Sequence, residues 1–212
     1  MLKKQFSHYS QKSPVARVLE YSLMRIYETN QLLFEIERQM STKYDSTNEV
    51  HEKKLLQLWN YMKPDTKLES RLSKQWVEIG FQGQDPATDF RGMGIQGLND
   101  LLYFVQTYPH HALSILQHAS HPVHWYPYAI VGINITKFVY QLLESKRLQS
   151  YLFQYGTHLD SLQDFYSYLF YRFNQFWISQ HLTVMDFEVK FKEFQLQIEK
   201  DLLKDTMMFK IK

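Results

Sequence analysis

Apolar residues recur every three to four positions along most of this chain, and that interval predicts helices from end to end. After Pro14, the residues Val15, Val18, Leu19, Leu23, Ile26, Leu33 and Ile36 keep helical spacing. A second run, Val50 to Met62, stops ahead of Pro64, which cannot continue a helix. A third covers roughly Leu68 to Ile79 and runs into a glycine-rich stretch. Beyond it, Leu98, Leu101, Leu102 and Val105 predict a helix stopped at Tyr108-Pro109, and a short one covers His111 to His118. Pro127 suits the first turn of a helix reaching Leu143. Asp160 has the chemistry of an N-cap ahead of Leu162, Phe165, Leu169, Phe173 and Phe176. Phe187, Phe191, Phe194, Ile198 and Leu202 define the last helix. No Asn-Gly or Asp-Gly hairpin signal breaks the series. The expected fold is all-α, a single compact multi-helix domain of about seven to nine helices. Residues 1–50 are expected to form a helical extension packed on a domain over 51–208.

Composition narrows the class. With 15 Tyr, 15 Phe and 4 Trp in 212 residues, the core should be rich in rings. A net charge of +2 lacks the concentrated basicity of a nucleic-acid binder. The absence of cysteine excludes disulfides and thiolate metal sites and fits a reducing compartment. The opening MLKKQFSHYSQK lacks the apolar segment of a secretory signal. The most apolar stretch, Tyr126 to Leu143, is interrupted by Asn134, Thr136, Lys137 and Gln141, so it reads as a buried helix rather than a membrane span. Lys3, Lys4, Lys12 and Arg17 precede the first acid, Glu20, and would give at most weak peripheral contact with an anionic membrane surface. Between Asp100 and Lys137 there is no Asp, Glu, Lys or Arg, as expected for the centre of the core.

The candidate chemistry sits between Trp76 and Phe104. Five of the seven glycines fall there, at Gly80, Gly83, Gly92, Gly94 and Gly97, around one arginine, Arg91. A guanidinium is a permanently charged planar fork suited to phosphate or carboxylate oxygens. Two readings of Arg91 stand at this point: an ion pair with Asp85 or Asp89 that braces the loop, or a side chain turned outward to a ligand. Gly92 to Gly97 also matches G-x-G-x-x-G. That fingerprint needs a buried strand before it and an acid about 20 residues after it, and neither is present. His118, His121 and His124 raise a metal site, but Pro122 interrupts them and no carboxylate is near in sequence, so no metal is assigned.

The run Trp76, Ile79-Gly80-Phe81-Gln82-Gly83, Pro86, Thr88-Asp89-Phe90-Arg91-Gly92-Met93-Gly94, Gly97-Leu98, Leu101 and Tyr103-Phe104 resembles the signature of ELMO domains, in the ELMOD form. The likeness continues through Tyr126 to Thr136, through Phe176-Trp177 and Met185-Asp186-Phe187, and it includes Leu56 to Lys74. Gln96 departs from it, standing where an apolar leucine is expected. The resemblance implies an α-helical domain that stimulates GTP hydrolysis by Arf and Arf-like small GTPases. It implies that Arg91, in the D-x-R-G motif, is the residue required for activity. Gly92 and Gly94 would let the backbone approach the partner, and Asp89 would orient the guanidinium or brace the loop. Thr88 and Gly83 complete the loop, which Trp76, Phe81 and Phe104 would anchor. No cofactor of its own is expected, since GTP and Mg²⁺ belong to the partner GTPase. The implied setting is cytoplasmic, with at most peripheral attachment to organelle membranes. The alternative is a non-catalytic interaction module of small-GTPase signalling.

Overall fold

The computed structural model describes residues 13–204 and 208–211. Among them are eight α-helices and three short 3-10 segments, with no strand. The α-helices are α1 (Pro14–Ser41), α2 (Glu49–Met62), α3 (Gly94–Thr107), α4 (Pro109–Ala119), α5 (Tyr128–Glu144), α6 (Gln149–Tyr155), α7 (Leu159–Ser179) and α8 (Phe187–Asp201). The 3-10 segments are η1 (Lys74–Ile79), η2 (Pro86–Gly92) and η3 (Val184–Asp186). The chain is thus all-helical, as its periodicity predicts. The basic tail of Lys3, Lys4 and Lys12 lies outside the described residues.

Local chemistry places the helix starts. Ser13 accepts from the Ala16 amide, with Pro14 at the first position of α1. Asn48 accepts from Val50 and His51 to open α2. Thr183 and Asp186 form a reciprocal capping box just ahead of α8. α7 departs from expectation. Its cap is His158, whose Nδ1 accepts from the Ser161 amide at 3.3 Å. Asp160 instead sits in the first turn, where a carboxylate complements the helix dipole.

The neutral stretch after Asp100 is central. α3 packs against α1, α2, α4, α5 and α7, and its Leu98, Leu101 and Phe104 are fully buried. Each such side chain contributes about 1.5–3 kcal/mol by leaving water. α5 is buried on most of its circumference. No helix among the described residues is long and apolar enough to cross a membrane.

The expected helix over Leu68 to Ile79 is mostly absent. Only η1 forms there, and residues 63–73 are irregular, a turn at Pro64-Asp65 followed by bends and extended segments. Side chains take the hydrogen bonds that a helix would have used. Trp59 Nε1 donates to the Thr66 carbonyl, Trp76 Nε1 donates to the Arg71 carbonyl, and the Glu69 amide donates to Gln75 Oε1. Ser73 then caps η1 through the Gln75 amide.

Gln96, the departure from the family pattern, is buried in a polar pocket of the core. Its Nε2 donates to Asp100 Oδ1 at 2.6 Å, and Gln163 Nε2 donates to the same oxygen at 3.2 Å. Thr136 Oγ1 donates to Asp100 Oδ2 at 2.9 Å. Burial nonetheless pushes the Asp100 carboxyl up to about 7, against the pull of these three donors.

Candidate functional site

The strap from Gly80 to Gly94 is fastened at both ends by backbone packed directly on backbone. At Gly80, where φ is +83°, an added Cβ would lie 2.1 Å from the Tyr128 amide nitrogen. The Gly80 carbonyl accepts from the Ile130 amide in the first turn of α5. At Gly94, with φ +52°, a Cβ would meet the Met40 carbonyl at 2.3 Å and the Thr42 carbonyl at 2.6 Å. The adjoining Ile95 amide donates to Thr42 O at 2.9 Å. Only glycine tolerates both this conformation and this proximity. One end of the strap is therefore fixed to the start of α5 and the other to the end of α1.

This reassigns Gly94. Its close backbone approach is made to α1, so Gly94 is buried and not available to a partner. Gly92 is exposed with open space around its Cα, as is the space around Gly83.

Beneath the strap runs a chain of rings. Trp59 meets Trp76 edge-on at 5.4 Å, Trp76 meets Phe81 at 5.8 Å, and Phe81 meets Phe90 at 5.7 Å. Tyr44 stacks on Phe90 at 5.4 Å. Edge-to-face pairs of this kind contribute about 0.5–1.5 kcal/mol each beyond their burial. Trp76, Phe81 and Phe90 are almost wholly buried, so the ring of Phe90 pins the turn that carries its neighbours. Phe104 is buried too, but in α3, where it stacks with Phe170 and Tyr108 rather than beneath the strap.

Polar groups fix the upper side. Asp85 caps η2 by accepting from the Ala87 amide, and Thr88 Oγ1 donates to the Asp85 carbonyl. Asp89 Oδ2 accepts from the Gln82 amide at 2.9 Å, drawing the two limbs of the strap together. Burial holds the Asp89 carboxyl above its ordinary value, while the Gln82 amide and the Arg91 charge pull it down. Arg71 makes the remaining anchor. Its Nε donates to Glu52 Oε2 at 2.6 Å, and its Nη1 lies 3.0 Å from Asp85 Oδ1, an ion contact without hydrogen-bond alignment. Spacing along the chain gave no signal for Arg71, because its partners come from α2 and η2.

With Asp85 engaged by Arg71 and Asp89 by Gln82, Arg91 stands exposed near the end of η2. Among the described residues no carboxylate lies within ion-pair distance of it. The Asp89 carboxylate is close enough to feel its charge without pairing. Side chains three apart eclipse in a 3-10 turn, so Arg91 shares a face with Thr88, which is exposed as well. The arrangement is a rigid turn, pinned from below and at both ends, that presents one cation to solvent.

The histidines are dispersed among structural roles. His118 Nδ1 pairs with Asn174, His124 Nδ1 with the Leu182 carbonyl, and His121 Nδ1 accepts from the Val123 and His124 amides. No group of three His, Cys, Asp or Glu among the described residues could hold a metal ion.

Residues 34–191 match the model of the ELMO/CED-12 family. The chain is 43% identical over 185 residues to ELMO domain-containing protein 2 of Bos taurus, covering 85% of this chain and 63% of that protein. It is 38% identical over 210 residues to ELMO domain-containing protein 1 of Bos taurus, covering 89% and 64%. A 40% identity over 167 residues links it to ELMO domain-containing protein B of Dictyostelium discoideum, covering 78% and 58%. The chain spans a little under two thirds of the length of the first of these relatives. The glycine strap and the arginine turn lie inside the matched region, and the chain belongs to the ELMO/CED-12 family.

Proposed function

We propose that this protein activates GTP hydrolysis by an Arf or Arf-like small GTPase, lending Arg91 to the partner's nucleotide. It has no active site of its own in this reading. GTP, Mg²⁺ and the residue that orients the attacking water come with the GTPase. Hydrolysis builds charge on the γ-phosphoryl group and the bridging oxygen. A guanidinium supplied in trans stabilises that charge and raises the rate by about 10³- to 10⁵-fold.

One observation carries the reading: Arg91 is exposed on a turn whose own carboxylates are engaged elsewhere. A structural arginine would be paired with Asp85 or Asp89. Instead the turn is stiffened by Phe90, Asp85 and Asp89, which suits a group that must arrive already positioned. Gly92, with no side chain beside the guanidinium, leaves room for the partner's surface.

The test is Arg91→Lys, which keeps the charge and loses the planar fork. Single-turnover hydrolysis by a panel of GTP-loaded Arf and Arf-like GTPases should be accelerated by the wild type and nearly unaccelerated by the variant, with identical melting curves. Equal acceleration by the two would sink the finger. Binding of a GTP-loaded GTPase without acceleration by wild type would assign the protein to the non-catalytic, adaptor-like alternative.

A further inference from the structure

Beside the arginine turn lies a cleft of about 350 Å³ between η2 and the outer face of α5. One wall is the turn itself, with Thr88, Asp89 and Gly92. The other is α5, with Ile130, Asn134 and Lys137. Arg91 is not part of this lining; it is exposed on the same turn, between the lining residues Asp89 and Gly92.

Lys137 is out of keeping with its surroundings. It is the first charged residue after Asp100 and the only one in α5 before Glu144. The helix around it is largely apolar and buried, yet Lys137 is exposed. Among the described residues no carboxylate lies within ion-pair distance of it. Asp89, the acid that lines the cleft, is half-buried with Oδ2 committed to the Gln82 amide. Asn134 donates to the Ile130 carbonyl within its own helix, and among the described residues no donor reaches its side-chain oxygen. The cleft therefore carries one outward cation, Lys137, in a hollow lined by polar and apolar side chains beside the turn that bears Arg91.

We propose that this cleft is a docking site for an acidic side chain on the surface of the GTP-loaded GTPase, with Lys137 as the residue that positions it. This rests on the function proposed above and adds a division of labour. Arg91 acts on the nucleotide, and Lys137 acts on the protein around it. An exposed charge at the rim of an interface governs encounter and salt dependence more than chemistry. The cleft also gives a role to a lysine on the solvent side of a helix that carries no other charge before Glu144.

The experiment compares wild type with Lys137→Glu, Lys137→Arg and Arg91→Lys against the same panel of Arf and Arf-like GTPases. Binding is measured with the GTPases loaded with a non-hydrolysable GTP analogue. Single-turnover hydrolysis is measured over a range of activator concentrations. Lys137→Glu should weaken binding and raise the half-saturating concentration by about tenfold or more, because attraction becomes like-charge repulsion. Its rate at saturation should match wild type. Lys137→Arg should stay close to wild type, and wild-type affinity should fall as salt rises. Arg91→Lys should show the reverse pattern, a lost rate with retained binding. Unchanged affinity in Lys137→Glu, or a reduced saturating rate at unchanged half-saturation, would overturn the assignment. If wild type binds a GTPase without accelerating it, the catalytic reading fails while the binding arm still decides the role of Lys137. If wild type binds no GTPase of the panel, both fail.

Discussion

Asp100 offers a quantitative test of how this core is built. It is wholly buried and titrates near 7, where an exposed aspartate titrates near 3.8. The folded protein therefore holds its proton more tightly than the unfolded chain does. Below pH 4 both states carry the proton and burial costs nothing electrostatically. Between pH 4 and 7 the unfolded chain releases the proton while the folded one keeps it, so stability falls as pH rises. Above pH 7 the loss is complete, and at about 1.36 kcal/mol per pH step it amounts to roughly 4 kcal/mol. Asp100→Asn isolates this contribution. The amide has the shape of the protonated carboxyl, and its oxygen can keep accepting from Gln96 and Gln163. Its nitrogen would face Thr136 Oγ1, whose hydroxyl is already 3.4 Å from the Gly132 carbonyl and can turn to it. Urea unfolding from pH 4 to 8 measures the difference between the two proteins. The variant should gain on wild type as pH rises, by about 2–4 kcal/mol at pH 8. A difference that stays flat over that range would refute the reasoning, because the carboxyl would then not be titrating inside the fold.

Other expectations follow from the strap. Gly94→Ala should destabilise by about 3 kcal/mol or more, since its Cβ would strike the carbonyls of α1 in a left-handed conformation. Gly92→Ala should melt like wild type, because nothing lies near its Cβ; a calorimetric comparison of the pair checks both. Trp76→Ala removes a wholly buried ring from the aromatic chain and should cost about 3–5 kcal/mol in denaturant unfolding. Arg71→Ala should cost about 1–2 kcal/mol in denaturant unfolding, because Glu52 and Asp85 lose their common partner. Asp89→Asn should keep its bond from the Gln82 amide and so leave melting nearly unchanged; Asp89→Ala, which loses it, should melt earlier.

The helices packed along most of their length were legible in the sequence, because burial and helical period impose the same spacing on α2, α3, α5, α7 and α8. α1 keeps the period too, but its Val15, Val18, Leu19, Leu23 and Ile26 are exposed and only its second half is buried. Residues 63–73 were not. Their apolar residues have helical intervals, but the indoles of Trp59 and Trp76 take backbone carbonyls that a helix would have needed. A hydrogen bond from an indole to a carbonyl five or seven residues away leaves no mark on the helical spacing of the apolar residues. The short α6 was missed because seven residues are too few to show a period. In the strap, the glycine cluster correctly marked a constrained backbone, but sequence order could not say which glycine faced what. Gly94 serves α1 and Gly92 faces solvent, two residues apart. The state of Arg91 was equally open, because Asp85 and Asp89 lie within reach along the chain. What decides it is Arg71, which engages Asp85, together with the Gln82 amide, which engages Asp89.

The junction at Gly94 also bears on how the protein can be divided. Thr42, just past the end of α1, supplies the carbonyl that receives the Ile95 amide, and Leu32 and Ile36 of α1 are buried in the common core. A shortened version beginning at residue 51 would leave that amide without its acceptor and unroof α3, which starts three residues downstream of the arginine. Truncations meant to isolate the arginine turn should therefore keep the second half of α1, from before Leu32 onward, while the exposed first turns of that helix can be trimmed without touching the junction.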